Sequence, residues 1–337
     1  MSKIIVTGGM GYIGSHTVVD LIENNYEVII LDNLSQSSIR VMDGIERITG
    51  IRPSFYHVDI CDRAALESVF SKESSIEGII HFAAYKYVDE SVSNPLKYYR
   101  NNLEGLINIL EMVERFYVKN FVFSSSCSIY GNISELPVSE NSLKMPPESP
   151  YASSKWMGEQ IIDDVKSVIP VNCISLRYFN PVGAHMSGHI GESPLNIPNN
   201  LVPRITATAI GAQEKLMVFG SHLPTRDGSC IRDYIHVSDI AEAHTLALKY
   251  LEKRQSLHTH TAINLGSGNG VSVLELIAAF EKVTGTPLKY ELADSRPGDV
   301  IAIYSDNSLA LQLLNWAPRR TIEDMMSSAW EWEKKNH

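Results

Sequence analysis

Short apolar runs alternate with amphipathic stretches through the first half of this chain. Lys3–Thr7 is a β-rich run, and Tyr12–Asn24 repeats its apolar positions at helical spacing. A second run, Glu27–Leu31, ends in Asp32. Ser54–Val58 runs into Asp59-Ile60, and Asp62–Phe70 has a short helical pattern. Gly78–Ala84, GIIHFAA, is apolar almost throughout, as a strand covered on both faces should be. A long helical pattern after Asn94-Pro95 carries Asn101 and leads to FVFSSS, residues 121–126. The stretch SPYASSKWMGEQ, 149–160, predicts another helix. Ser149 can cap it, Pro150 suits its first turn, and Ala, Lys, Met, Glu and Gln favour its interior. Strands separated by helices imply an α/β fold with a doubly wound parallel sheet.

From Tyr178 onward the rhythm loosens. Residues 183–203 are rich in Gly, Pro and Asn and are expected to form a functional or mobile loop. A helix should follow Pro203. Strands are expected at LMVFG (216–220), IRDYIH (231–236) and AINLG (262–266), with a helix over Val237–Lys253. Ser272-Val273-Leu274-Glu275 is a capping-box pattern opening a helix to about Thr284. Two further helices are expected near 306–315 and 322–335. The second half thus predicts a smaller mixed α/β lobe, without repeats or low-complexity tracts.

Composition narrows the function. A 337-residue chain with 44% hydrophobic and 20% charged residues has the profile of a soluble globular protein. Its net charge of −10 argues against nucleic acid or an anionic membrane as partner. No run of 18 apolar residues exists, and the apolar run in MSKIIVTGGM is too short for a signal peptide. Cys61, Cys127, Cys173 and Cys230 lie far apart without zinc spacing, so reduced thiols in a cytoplasmic protein are expected. His185 and His189 stand four apart, but in a Gly/Pro-rich context with no helix to hold them, so no metal is expected.

Candidate chemistry starts at Thr7-Gly8-Gly9-Met10-Gly11-Tyr12-Ile13-Gly14. Glycines at 8, 11 and 14 follow a strand and open a helix, the context of a dinucleotide fingerprint. Gly8 permits the turn, Gly11 lets backbone approach a pyrophosphate, and Gly14 allows close packing; the helix N-terminus holds the phosphates. Asp32, 24 positions beyond Gly8, can accept a ribose 2′-hydroxyl and would repel a 2′-phosphate. No arginine follows until Arg40, so NAD is favoured over NADP. Lys86, Ser124 and Ser126 lie at strand ends where ligands gather, although Lys86 could equally be a solvated loop lysine. Tyr151 and Lys155, four apart on a helix, can face one ligand. A nearby ammonium and a cationic cofactor ring would bring the phenol below its usual pKa of about 10, fitting it to take a proton from a sugar hydroxyl. Read alone, Tyr-x-x-x-Lys also fits an ordinary amphipathic helix. Arg232 and Arg296 offer planar forks to a diphosphate, with surface pairing to Asp233 and Asp299 as the alternative.

Together the glycine triplet, a serine after the fifth strand and Tyr-x-x-x-Lys resemble the extended short-chain dehydrogenase/reductase family, with its Rossmann-type sheet. Within it the chain is similar to the UDP-galactose (UDP-glucose) 4-epimerases. The matching stretches are TGGMGYIGSH (7–16), LDNLS (31–35), HFAAYKYVDESV (81–92), SSSCSIYG (124–131), SPYASSK (149–155), RYFNPVGAH (177–185), IPNNLVP (197–203), CIRDYIHVSD (230–239) and RPGD (296–299). They sample almost the whole length.

The resemblance implies an NAD-dependent, reversible C4 epimerisation of UDP-glucose and UDP-galactose through a 4-keto sugar. Tyr151 would be the base, Lys155 its pKa-lowering partner that also holds the nicotinamide ribose, and Ser126 the orienting hydroxyl. Gly8, Gly11, Tyr12, Ile13, Gly14, Asp32, Asn33, Asp59, Ile60, Phe82, Ala83, Lys86, Asn101, Ser124 and Tyr178, with Tyr151 and Lys155, match NAD-contact positions. Lys86, Ser126, Tyr151, Phe179, Asn180, Asn200, Leu201, Phe219, Arg232, Tyr234, Arg296, Asp299 and Ile303 match the UDP-hexose side. Residues 1–180 would form the NAD-binding domain and 181–337 mainly the substrate lobe, with about 231–260 returning to the first. The resemblance also implies a homodimer. Relatives that dehydrate sugars carry Thr-Asp-Glu where this chain has Ser126-Cys127-Ser128, and glucuronate decarboxylases carry Glu at Ser128, so both reactions are disfavoured. Ile303 occupies a position where tyrosine restricts relatives to plain hexoses and cysteine or serine admits an N-acetyl group. Epimerisation of UDP-N-acetylglucosamine and UDP-N-acetylgalactosamine is therefore the alternative. A nucleotide sensor without catalysis would have no use for Ser126, Tyr151 and Lys155 together.

Overall fold

A computed structural model of the chain describes residues 1–193, 199–254, 256–294 and 300–336. The chain alternates through β1 (Lys3–Thr7), α1 (Tyr12–Glu23), β2 (Glu27–Asp32), α2 (Arg40–Thr49), β3 (Ser54–His57), α3 (Arg63–Lys72) and β4 (Ile76–His81). Helices α4 (Val88–Ser93) and α5 (Pro95–Tyr99) follow. A π-helical turn (Arg100–Glu104) then leads into α6 (Gly105–Arg115), so the long helix expected after Pro95 is interrupted at Asn101. Next come β5 (Asn120–Ser126), a 3-10 turn (Cys127–Tyr130), α7 (Pro150–Val165), β6 (Asn172–Tyr178) and β7 (Asn180–Val182). The second half adds α8 (Leu201–Ala209), β8 (Leu216–Phe219), β9 (Ile231–His236), α9 (Val237–Glu252) and β10 (Thr259–Leu265). It closes with β11 (Gly270–Ser272), α10 (Val273–Thr284), β12 (Tyr290–Ala293), α11 (Ser308–Leu314) and α12 (Ile322–Asn336).

Seven strands form one parallel sheet in the order β3-β2-β1-β4-β5-β6-β10. Side chains alternate across it, so neighbours in one strand feed opposite cores. Ile4, Val6, Val28 and Ile30 pack with α1, α2, α9 and α11 on one face. Ile5, Ile29, Leu31 and Ile79 pack with α3, α6 and α7 on the other. Burial on both faces is why these strands read as unbroken apolar runs. The strand order reverses between β1 and β4, the switch point where ligands lodge in such sheets.

The smaller lobe holds a three-stranded sheet, β11-β9-β7, and a parallel pair, β12-β8, over a core shared with α8, α10 and α12. Its segments interleave with the large sheet. β9 stays in the small lobe, whereas α9, β10 and α11 lie on the large one. The capping box is present: Ser272 Oγ accepts from Glu275 N at 3.1 Å, and Glu275 Oε2 accepts from Ser272 N at 2.8 Å. Some boundaries differ from expectation. β4 ends at His81, releasing Phe82–Ala84 as loop, and α8 begins at Leu201 with Pro203 in its first turn, where the missing N–H costs nothing.

Candidate functional site

Beyond the carboxyl ends of β1, β2, β4, β5 and β6 lies a crevice of about 900 Å³. Its floor is the glycine turn. Gly8 has φ of +69°, and a Cβ there would stand 2.7 Å from Ala83 N. A Cβ on Gly14 would stand 2.2 Å from Gly8 O, so α1 rests directly on the turn that precedes it. Gly11 caps α1 without a side-chain hydrogen bond, and the first helical amides have no intrahelical acceptor. Gly11, Tyr12, Ile13 and Gly14 line the crevice beside Asn33, Ile60, Phe82, Ala83 and Asn101.

Asp32 sits at the end of β2. Its Oδ2 accepts from Met10 N at 3.0 Å, and its Oδ1 from Leu34 N at 2.8 Å and Ser37 Oγ at 3.0 Å. Burial raises its pKa, opposed by those three donors. Asn33 donates to Asp59 at 3.0 Å, and Val58 and Ile60, on either side of Asp59, line the crevice. The crevice, the uncapped helix start and the carboxylate at the second strand's end fit a dinucleotide.

Tyr151, Lys155, Ser124 and Ser126 line the same crevice. Ser149 Oγ caps α7 by accepting from Ala152 N at 3.2 Å, and this sets Tyr151 in the first turn. Burial pushes the Tyr151 phenol above its ordinary value. The Ser126 hydroxyl bonded to it and the Lys86 ammonium pull the other way, but less strongly. Lys155 Nζ donates to the Ser124 carbonyl at 2.7 Å, and burial lowers its pKa to about 7. The cation among the principal influences on the phenol is Lys86.

Lys86 bridges the two lobes. Its Nζ lies 3.0 Å from Glu192 Oε1, which also accepts from Asn200 Nδ2 at 2.7 Å. Burial opposes the Lys86 charge, yet Glu192 leaves its pKa above the ordinary lysine value. Tyr178, Phe179 and Asn180 complete this wall, with Tyr178 Oη 2.6 Å from His244 Nε2.

Other expected substrate residues stand outside the crevice lining. Leu201 and Tyr234 pack in the small-lobe core, and Ile303 is buried against Phe179. Phe219 ends β8, and Arg232 lies on β9 with its Nη1 on the Ile231 carbonyl at 2.9 Å. The pairing of Arg232 with Asp233 is absent: Asp233 is buried and accepts from Ser267 Oγ and Ser305 Oγ, each at 2.6 Å. Arg296 and Asp299 lie outside the described residues.

Sequence reasoning missed Glu192, Ser37, Arg40 and Trp332, all of which line the crevice. Trp332 Nε1 donates to the Glu192 carbonyl at 2.9 Å, tying the far C-terminal helix to this wall. No local pattern announces such a contact. Among the described residues no helix is long and apolar enough to cross a membrane.

Residues 4–266 match the NAD dependent epimerase/dehydratase family. The chain is 48% identical over 334 residues to a UDP-glucose 4-epimerase of Pasteurella multocida, covering 99% of this chain and 98% of that one. It resembles a UDP-glucose 4-epimerase from Stenotrophomonas maltophila, solved with NAD and formylated UDP-arabinopyranose. The TM-score is 0.96 at 41% identity, over 100% and 99% of the two chains. A Bifidobacterium longum UDP-glucose 4-epimerase solved with NAD+ and UDP gives a TM-score of 0.95 at 41% identity, over 99% of each chain.

Proposed function

The chain belongs to the NAD dependent epimerase/dehydratase family, and on that premise we propose that it catalyses the NAD-dependent, reversible C4 epimerisation of UDP-glucose and UDP-galactose. One observation carries the reading: Tyr151 with its Ser126 partner opens into the same crevice as the Gly8–Gly14 turn and Asp32. Asp32 and Asn33 hold the adenosine ribose, the start of α1 holds the pyrophosphate, and Lys155 holds the nicotinamide ribose. When bound, NAD would supply a reversible hydride acceptor for the C4 hydrogen and a positive charge beside the phenol.

The Tyr151 oxygen moves the proton of the sugar 4-hydroxyl, and Ser126 orients that hydroxyl. Burial has left the phenol a weak acid, so its proton departs only when positive charge gathers around it. Lys86 contributes part of that charge. Asn180, Asn200 and Arg232, with Arg296 and Asp299, hold the UDP-hexose, and Phe179, Leu201, Phe219, Tyr234 and Ile303 shape its surroundings. Residues 126–128 offer no carboxylate for dehydration. The full-length relatives do not favour the N-acetylhexosamine alternative.

The active form is a homodimer. Support comes from exposed apolar side chains on neighbouring helices: Val92 and Leu96 of α4 and α5, and Trp156 and Met157 of α7. The four free cysteines suit the reducing cytoplasm. Interconversion of UDP-galactose and UDP-glucose without net NADH release tests the assignment. Tyr151→Phe is expected to lower kcat by about 10²- to 10⁴-fold and leave UDP affinity unchanged. A near-parental rate in that variant overturns the assigned base.

A further inference from the structure

Tyr151 and Lys155 are followed on α7, after the same interval of four, by Glu159. Spacing of four stacks the three on one helical face. Three consecutive residues at the end of β5 meet them. The Ser124 carbonyl accepts from Lys155 Nζ at 2.7 Å, Ser125 Oγ donates to Glu159 Oε1 at 2.6 Å, and the Ser126 hydroxyl bonds to Tyr151. Glu159 is also gripped from β6. Arg177 Nε donates to Oε1 at 2.9 Å and Nη2 to Oε2 at 2.7 Å, a bidentate pair with both side chains 3% exposed. Arg177 Nη1 reaches the Tyr130 hydroxyl at 2.8 Å, and that hydroxyl donates to Asn264 of β10 at 2.7 Å. The pair therefore ties α7 to three strands of the large sheet.

A buried pair of this kind adds little stability over apolar side chains of similar volume, because desolvation offsets its attraction. It adds direction, since a planar fork on a carboxylate allows one geometry. The reacting groups need that direction. They lie one and two turns along the helix, and a displacement of about 1 Å can cost about 100-fold in rate. Neither Tyr151 nor Lys155 feels the charge of Glu159 among its principal influences.

We propose that Glu159 and Arg177 are positioning residues for epimerisation, fixing the rotation and axial register of α7 and so the places of the Tyr151 phenol and the Lys155 ammonium. This rests on the epimerase reading above. Glu159→Gln is expected to lower kcat by about 10- to 100-fold, with KM for UDP-galactose and the Kd for UDP within about twofold of the parent. The double variant Glu159→Met with Arg177→Met separates position from stability. Its melting temperature should recover to near the parental value while kcat stays depressed. A kcat that recovers together with the melting temperature overturns the proposal, as does parental kcat in Glu159→Gln. Should Glu159→Gln not fold, Ser125→Ala removes only the strand hydroxyl and is expected to lower kcat by about 3- to 10-fold at unchanged UDP affinity; parental kcat there overturns the proposal equally. A parent inactive on both UDP-hexoses overturns the epimerase reading and this inference with it, whereas an active parent whose variants keep its kcat overturns this inference alone.

Discussion

Replacing Lys155 by methionine separates what the ammonium costs the fold from what it does for the reaction. Lys155 is 4% exposed, its Nζ donates to the uncharged Ser124 carbonyl, and the Phe123 ring centroid lies 5.1 Å away. Burial without an opposite charge lowers its pKa from 10.5 to about 7. Between those values the unfolded chain holds a proton that the folded chain has shed. Stability therefore rises with pH across the window and is lowest below it. At 1.36 kcal/mol per unit, with the folded group half titrated, the penalty at pH 7 is about 4 kcal/mol. Methionine has a similar volume and no charge, so the variant should be more stable than the parent by about that much at pH 7. The difference should narrow steadily and level off by about pH 10.5. Urea unfolding of both nucleotide-free proteins, followed by circular dichroism across that range, measures it, and titrations shared by the two cancel. A difference that does not change with pH refutes the reasoning, as does a parent more stable than the variant at pH 7. Either result would place the ammonium in water or beside a carboxylate.

Gly14→Ala should destabilise the protein by about 1–3 kcal/mol and lower its melting temperature by several degrees. The new methyl would stand 2.2 Å from Gly8 O, and backbone on both sides leaves it no flexible neighbour to displace. Calorimetry with and without NAD checks this, and a parental melting temperature with parental NAD stabilisation contradicts it. Burial holds His16, His81, His236 and His244 neutral, each with its pKa lowered from 6.5 to about 3. The folded state binds fewer protons in that interval, so the histidines' contribution should be level above about pH 7, and stability should fall steeply below about pH 6. His16→Phe should reduce the proton uptake on acid unfolding by up to about one, measured from the pH dependence of the urea midpoint. An unchanged uptake excludes His16 from that set.

What could be read from the residues alone was whatever depends on neighbours along the chain. A strand, three glycines at fixed spacing and the start of a helix lie within twelve residues, so the turn and the carboxylate ending the next strand follow from local geometry. The spacing of Tyr151 and Lys155 is likewise a property of one helix. The capping box at Ser272 and Glu275 closes within a single turn.

What needed the folded chain was every relation between distant segments. Arg232 and Asp233 looked like natural partners because they adjoin. On a strand, however, adjacent side chains point to opposite faces, and Asp233 turned inward to the Ser267 and Ser305 donors. Lys86 meets Glu192 across 106 positions, and Trp332 reaches the Glu192 backbone across 140. Residues 259–265 enter the large sheet beside β6 because parallel pairing depends on which edge is open, which no single segment encodes. Burial decided the rest. The residue types at 151 and 155 name a phenol and an ammonium, but it is the depth at which the fold sets them that raises the pKa of the phenol and lowers that of the lysine. Sequence names the groups, whereas their charge follows from the water that packing excludes.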